Sequence, residues 1–148
     1  MLSSRTKRSN ECGASLVEFA IAATVFLTAM FAVLEFGRAL WVHNALTDAA
    51  RRGARYAILH TPADAASVKN VVVYGDPAGG TEPLVQNLSA SNVNVTYSNF
   101  AVGGGTVSVS ISNYELQLNL PLLGANIQMP SYTTTSTGES AGFAPPNL

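Results

Sequence analysis

Glu18 is the residue whose surroundings call for a chemical explanation. It lies within GASLVEFAIAATVFLTAMFAVLEFG (residues 13–37), where the next charge is Glu35. The uncharged run from Phe19 to Leu34 has 16 residues, about 24 Å of helix, short of a hydrocarbon core of ~30 Å. Counting from Ala14 gives 21 residues, about 31 Å, which spans but puts Glu18 at membrane depth. An ionised carboxylate there costs about 3 kcal/mol on insertion scales. Hydrolysis of the peptide bond after Gly13 would remove the difficulty. Ala14 would then carry a free ammonium four residues before Glu18, on the same helix face, and the carboxylate would gain a cationic partner inside the membrane. The chemistry open to these residues is therefore to be cut at Gly13–Ala14 and then to pair charges, with Phe19 beside the pairing position.

Other chemistries find little support. A secretory signal peptide has a shorter apolar region and a small-x-small cleavage site at its end, whereas this run closes on Leu34, Glu35 and Phe36. A plain signal anchor fits the length and leaves Glu18 as pure cost. The single cysteine, Cys12, excludes an intrachain disulfide and precedes the apolar run, opposite to the order in a lipidated cysteine. His43 and His60 stand apart from it and from paired acids, so no metal set or cofactor is expected. Gly103-Gly104-Gly105 lacks a following Lys-Ser or Lys-Thr and reads as a hairpin loop, not a phosphate cradle. No acid, base and nucleophile combine into a catalytic constellation, so the chain is not read as an enzyme and no small-molecule substrate is expected.

The elements that must position Glu18 follow from composition and pattern. Charged residues make up 11% of the 148 residues, against roughly 25% in ordinary soluble domains, and all eight Lys and Arg lie at or before Lys69. Residues 1–13, with Arg5, Lys7 and Arg8, form a basic leader. Residues 14–34 form the membrane part of a helix, and residues 35–60 form its amphipathic extension, since no proline interrupts Ala14 to His60 and Thr61-Pro62 supplies a break. In the extension, Glu35 can pair with Arg38, and Asp48 with Arg51 and Arg52. Trp41, Ala45, Ala49, Gly53 and Ala57 make a smooth four-apart row, suited to close packing against either the chain's own C-terminal module or a partner helix. Arg51, Arg52 and Arg55 fit a solvated face on a chain of net charge -1, and nucleic acid is not an expected partner.

Residues 61–148 read as an α+β module. A short helix is expected over Pro62–Val72, capped by Thr61, and a loop over residues 75–80. Alternation at Val93, Val95 and Tyr97, and again at Val107, Val109 and Ile111, predicts strands. Tyr114, Leu116, Leu118 and Leu120 alternate on the other parity, which requires a bulge or turn near Ser112 and Asn113. A last strand is expected over Ile127 to Thr135, then a mobile tail over 137–148. The fold class is thus α+β: a long N-terminal helix, membrane-spanning in its first half, plus a small, mainly antiparallel β-sheet module.

Together, the basic leader, Gly13, Ala14, Glu18 and Phe19 resemble a Flp-type prepilin peptidase site. The stretch Leu34 to Leu59, with Ala49-Ala50-Arg51-Arg52-Gly53-Ala54-Arg55-Tyr56-Ala57 at its end, is similar to the TadE-like minor pilins of the tight-adherence pilus. The resemblance covers roughly residues 12–60. It implies a minor pilin or pseudopilin with a cytoplasmic leader, a single pass through the bacterial inner membrane and an extracytoplasmic C-terminal module. The implied partners are a prepilin peptidase, other Tad pilins, inner-membrane assembly platform proteins and the lipid bilayer. Charge counting alone leaves orientation open, with three basic residues before the run and Arg38 just after it. The competing expectation is an unprocessed single-span envelope protein whose extracytoplasmic module binds a partner.

Overall fold

The structure is a computed structural model that describes residues 7–101, 104–120 and 123–138. Its dominant element is α1, Lys7–Ile58, 52 residues or about 78 Å of helix. The helix begins before Gly13, because nothing between Lys7 and Ala14 breaks it. It ends two residues short of His60, where Leu59 and His60 donate backbone N–H bonds to the Tyr56 and Ala57 carbonyls at 3.2 Å. The His60 ring also donates Nδ1–H to the Tyr56 carbonyl at 2.8 Å and stacks on the Tyr56 ring at 3.8 Å. These bonds occupy carbonyls that a helix end leaves without partners.

The expected helix after Pro62 forms in two pieces. Pro62–Asp64 is a 3₁₀ turn and α2 runs Ala65–Tyr74. The Asp64 carboxylate accepts from both the Thr61 backbone N–H (3.2 Å) and the Thr61 hydroxyl (2.9 Å), so the acid holds the entry. Gly75 closes α2 at φ 79°, with its N–H on the Val71 carbonyl, the left-handed cap that glycine adopts without strain.

Five strands follow among the described residues: β1 Val93–Ala101, β2 Gly104–Ile111, β3 Glu115–Leu120, β4 Leu123–Gln128 and β5 Tyr132–Thr137. They form two antiparallel sheets, ordered β1-β2-β5 and β3-β4. Gly104 and Gly105, expected in a loop, belong to β2; Gly103 lies outside the described residues. The parity change near Ser112 and Asn113 is a passage from one sheet to the other, not a bulge within one: Ser112 leaves β2 and Asn113 takes φ 56°. The single strand expected over Ile127–Thr135 is two, separated by Met129, Pro130 and Ser131. Pro130 has no N–H to offer a ladder, and the Met129 N–H turns to the Tyr114 carbonyl instead (2.9 Å). Thr137 ends β5, and residues 139–148 of the expected tail lie outside the described residues.

The core lies between the first sheet and the two helices. Val107, Val109 and Ile111 of β2 and Val93 of β1 meet Val42, Leu46, Ala49, Ala50, Ala54 and Ala57 of α1 and Val68, Val72 and Val73 of α2, all buried. The outer face of this sheet carries Asn94, Thr96, Ser108, Ser110, Thr133 and Thr135, a hydroxyl and amide layer without charge.

Candidate functional site

The two halves of α1 meet different surroundings, and the boundary lies between Arg38 and Val42. Toward the N-terminus, Leu16, Val17, Phe19, Ile21, Val25, Phe26, Val33 and Leu34 are each at least 60% exposed. Within Gly13–Ile58 an 18-residue stretch has a mean hydropathy of 2.2 and none of it is buried. At roughly 25 cal/mol per Å² of apolar surface, a helix bare on every side is strongly unfavourable in water and needs a covering phase. It is long and apolar enough to cross a membrane. Its polar side chains suit that phase: the Thr24 and Thr28 hydroxyls donate to the Ala20 and Thr24 carbonyls, each at 2.8 Å, and so satisfy themselves without water.

Gly13, Ala14, Glu18 and Phe19 all lie on this bare half. The chain is continuous helix across the Gly13–Ala14 bond. A side chain at Gly13 would meet nothing within 4 Å. Glu18 is exposed, and among the described residues no basic side chain lies within ion-pair distance of it.

The small-residue row divides. Trp41 is 59% exposed and Ala45 half-buried, whereas Ala49 and Ala57 are fully buried. Gly53 sits at a close approach of α1 to α2: a Cβ there would stand 2.3 Å from Val72 Cγ2 and 3.3 Å from Val109 Cγ1. This part of the row packs on the chain's own α2 and β2. Arg51, Arg52 and Arg55 are exposed and line an open depression with Asp48, where Arg51 and Asp48 are 3.8 Å apart.

At the boundary itself, Arg38 donates Nη2–H to Glu35 Oε2 at 2.8 Å and Nε–H at 3.0 Å, and Nη2 also bonds the Gln117 carbonyl in β3. The two charges nearest the end of the apolar run thus neutralise each other while fastening the second sheet to α1. Slightly further on, His43 Nδ1 and the Tyr132 hydroxyl lie 2.8 Å apart with their rings edge to face, and the Tyr114 hydroxyl donates to the Gln86 carbonyl at 2.8 Å. The Glu35–Arg38 spacing was readable from sequence. The Gln117 and Tyr132 partners were not, because they lie 79 and 89 residues away and carry no motif.

Burial pushes the Tyr97, Tyr114 and Tyr132 hydroxyls above the usual tyrosine value, the Arg38 charge opposing the rise at Tyr114. A folded-state pKa above the unfolded one stabilises the fold below the unfolded value, about pH 10. That stability is lost as pH rises through the folded value, because the unfolded chain gives up its phenolic protons first. The melting temperature is accordingly expected to stay level from neutral pH to the unfolded tyrosine value and then to fall. Tyr114→Phe and Tyr132→Phe should each flatten the fall in a pH series of thermal melts.

The helix is thus bare and apolar over its first half and locked by its second half into a small α+β module. Residues 13–55 match the family model described as TadE-like protein, so this segment is similar to TadE-like proteins of the tight-adherence (Tad) pilus system. The match starts at Gly13 and takes in both the bare half of α1 and its packed half as far as Arg55. No curated protein and no solved structure matches the chain.

Proposed function

We propose that the protein is a minor pilin or pseudopilin in the biogenesis of a tight-adherence pilus, matured by a prepilin peptidase that cuts between Gly13 and Ala14. The observation that carries this reading is the bare apolar half of α1 inside a TadE-like segment that opens at Gly13. The basic leader stays in the cytoplasm, residues 14–34 cross the inner membrane, and the module stands outside it. Val42, the first fully packed core residue of α1, is eight residues past Leu34, so the module's core begins about 12 Å beyond the apolar run. Its role is structural: it is substrate to the peptidase and partner to other pilins and to inner-membrane assembly proteins. After cleavage, the new ammonium of Ala14 pairs with Glu18 of its own or a neighbouring subunit and draws the helices into register.

Intact-mass measurement of the protein extracted from its native membrane tests the maturation. A chain beginning at Ala14 is expected, and a chain retaining residues 1–13 would overturn it in favour of an unprocessed single-span protein.

A further inference from the structure

Past Leu34 the two flanks of α1 carry different chemistry. Glu35, Arg38 and Val42 recur at i, i+3 and i+7 and so share one face. That face meets the module: Glu35 and Arg38 bond each other, Arg38 reaches the Gln117 carbonyl of β3, and Val42 is buried. Val33, Phe36 and Leu40 recur at the same spacing two residues earlier, a rotation of about 200°, and so lie on the far side, bordered by Trp41. Val33, Phe36, Leu40 and Trp41 are each at least 50% exposed, and no Asp, Glu, Lys or Arg falls between Arg38 and Asp48. On this side the apolar surface of the bare half therefore runs on, without a charge, for about two turns past Leu34.

That continuity argues that one phase covers both stretches, and the length agrees with lipid. From Ala14 to Trp41 there are 27 residue steps, about 40 Å of helix, against ~40–45 Å for a bilayer with both headgroup layers. Tryptophan suits the headgroup layer, having a large apolar ring and one N–H to donate, and Trp41 is the chain's only one. The Glu35–Arg38 pair lies just below this level but faces the module, and each charge has its partner, so the interface receives no unpaired charge.

We infer that Trp41, with Phe36 and Leu40 beneath it, is an anchor seated in the lipid headgroup layer on the module's side of the membrane. This rests on the reading of residues 14–34 as membrane-spanning. Ala14 then lies in one headgroup layer and Trp41 in the other, with Glu18 one turn inward of Ala14. The residues from Leu34 to Val42 are not a free stalk: they cross the interface, and the module's core starts at the membrane surface. Tryptophan on one side, with Lys7 and Arg8 on the other, resists sliding of the helix through the bilayer and so holds the Gly13–Ala14 bond at the opposite surface.

Because Trp41 is the single tryptophan, the unsubstituted full-length protein reports its own depth in liposomes whose lipids carry bromine either near the headgroup end or near the terminus of the acyl chain. Trp41 is expected to lose more emission to the headgroup-end bromine than to the chain-end bromine. In a Trp41→Phe background, Phe26→Trp, near the middle of the span, should show the reverse order. Asp48→Trp, seven residues past Trp41 and about 10 Å further out, should respond to neither lipid and be quenched by acrylamide in the water. Loss at Phe26→Trp with none at Trp41 would overturn the anchor and leave the span standing. Stronger loss at Trp41 to the chain-end bromine would overturn the register. A Trp41 shielded from both bromines and from acrylamide would overturn lipid as the occupant in favour of a neighbouring protein surface. Absence of loss at Phe26→Trp would overturn the membrane reading, and the anchor with it.

Discussion

Gly53→Leu is expected to be the most damaging single substitution in the module, lowering its unfolding free energy by about 3 kcal/mol. On helix propensity alone, replacing an interior glycine with a better helix former should stabilise α1 by roughly 1 kcal/mol. Space decides otherwise. A Cβ at Gly53 stands 2.3 Å from Val72 Cγ2, with Val109 Cγ1 behind at 3.3 Å. Val72 and Val109 are both fully buried, and a β-branched side chain in a helix has one strongly preferred rotamer, so Val72 has no nearby alternative position. Even Gly53→Ala should be destabilising, by about 1 kcal/mol or more after the propensity gain. Gly37, on the same helix, supplies the contrast: a Cβ there meets nothing within 4 Å, so Gly37→Ala should be neutral or stabilising by up to about 1 kcal/mol. Urea unfolding of the full chain in detergent, followed by near-UV tyrosine circular dichroism, reads all three variants. A midpoint for Gly53→Ala at or above that of the unsubstituted chain would show that α1 and α2 are less closely packed than the Gly53–Val72 approach requires.

The same residue shows what the sequence could and could not convey. The row Ala45, Ala49, Gly53 and Ala57 announced a close approach, because four small residues at helical spacing leave a groove whatever fills it. It left open what fills that groove, since an α2 of the same chain and a neighbouring helix ask for the same row. Trp41, placed on the row by its number, stays 59% exposed although its neighbour Val42 is buried, so the row leaves the packed core below Ala45. The bare half of α1 was legible for a simpler reason: an unbroken apolar run is a local property and needs no partner to be recognised.

The strands were readable from period-2 alternation, and the reversal of parity after Ile111 correctly signalled an interruption. That the interruption separates two sheets depends on pairing between residues far apart. β2 chooses β5, and β3 chooses β4. Alternation specifies which face is buried without specifying the neighbour. Pro130 was visible, yet its effect, splitting one apparent strand into β4 and β5, follows from the Met129 N–H going to Tyr114, a contact that no short window contains. The ties at Arg38 and His43 belong to the same category, having one partner on α1 and the other on the distant sheet region.

Glu18→Ala is expected to abolish incorporation of the protein into assembled pili while leaving its insertion into the membrane unchanged or improved. An ionised carboxylate at membrane depth costs about 3 kcal/mol on insertion scales, so removing it cannot weaken insertion; a loss confined to assembly would mean that the charge is kept for an interaction made afterwards. The ammonium that cleavage after Gly13 would expose at Ala14 is one helical turn away, a spacing that brings residues i and i+4 onto one face. The same ammonium can serve a neighbouring Glu18 when two bare helices lie side by side. Out of water such a pair is far less screened than at a surface, and an unpartnered charge is correspondingly costly, which favours the register that neutralises both. Glu18→Gln separates charge from shape: it keeps the side chain's length and a hydrogen-bonding end but offers the ammonium no counter-charge, and it should fail in assembly as Glu18→Ala does. Comparison of membrane and sheared-filament fractions by immunoblot measures both properties in one preparation. Full pilus output from either variant would defeat the pairing, whereas loss from the membrane fraction would mean that Glu18 acts before assembly, in insertion or recognition by the peptidase.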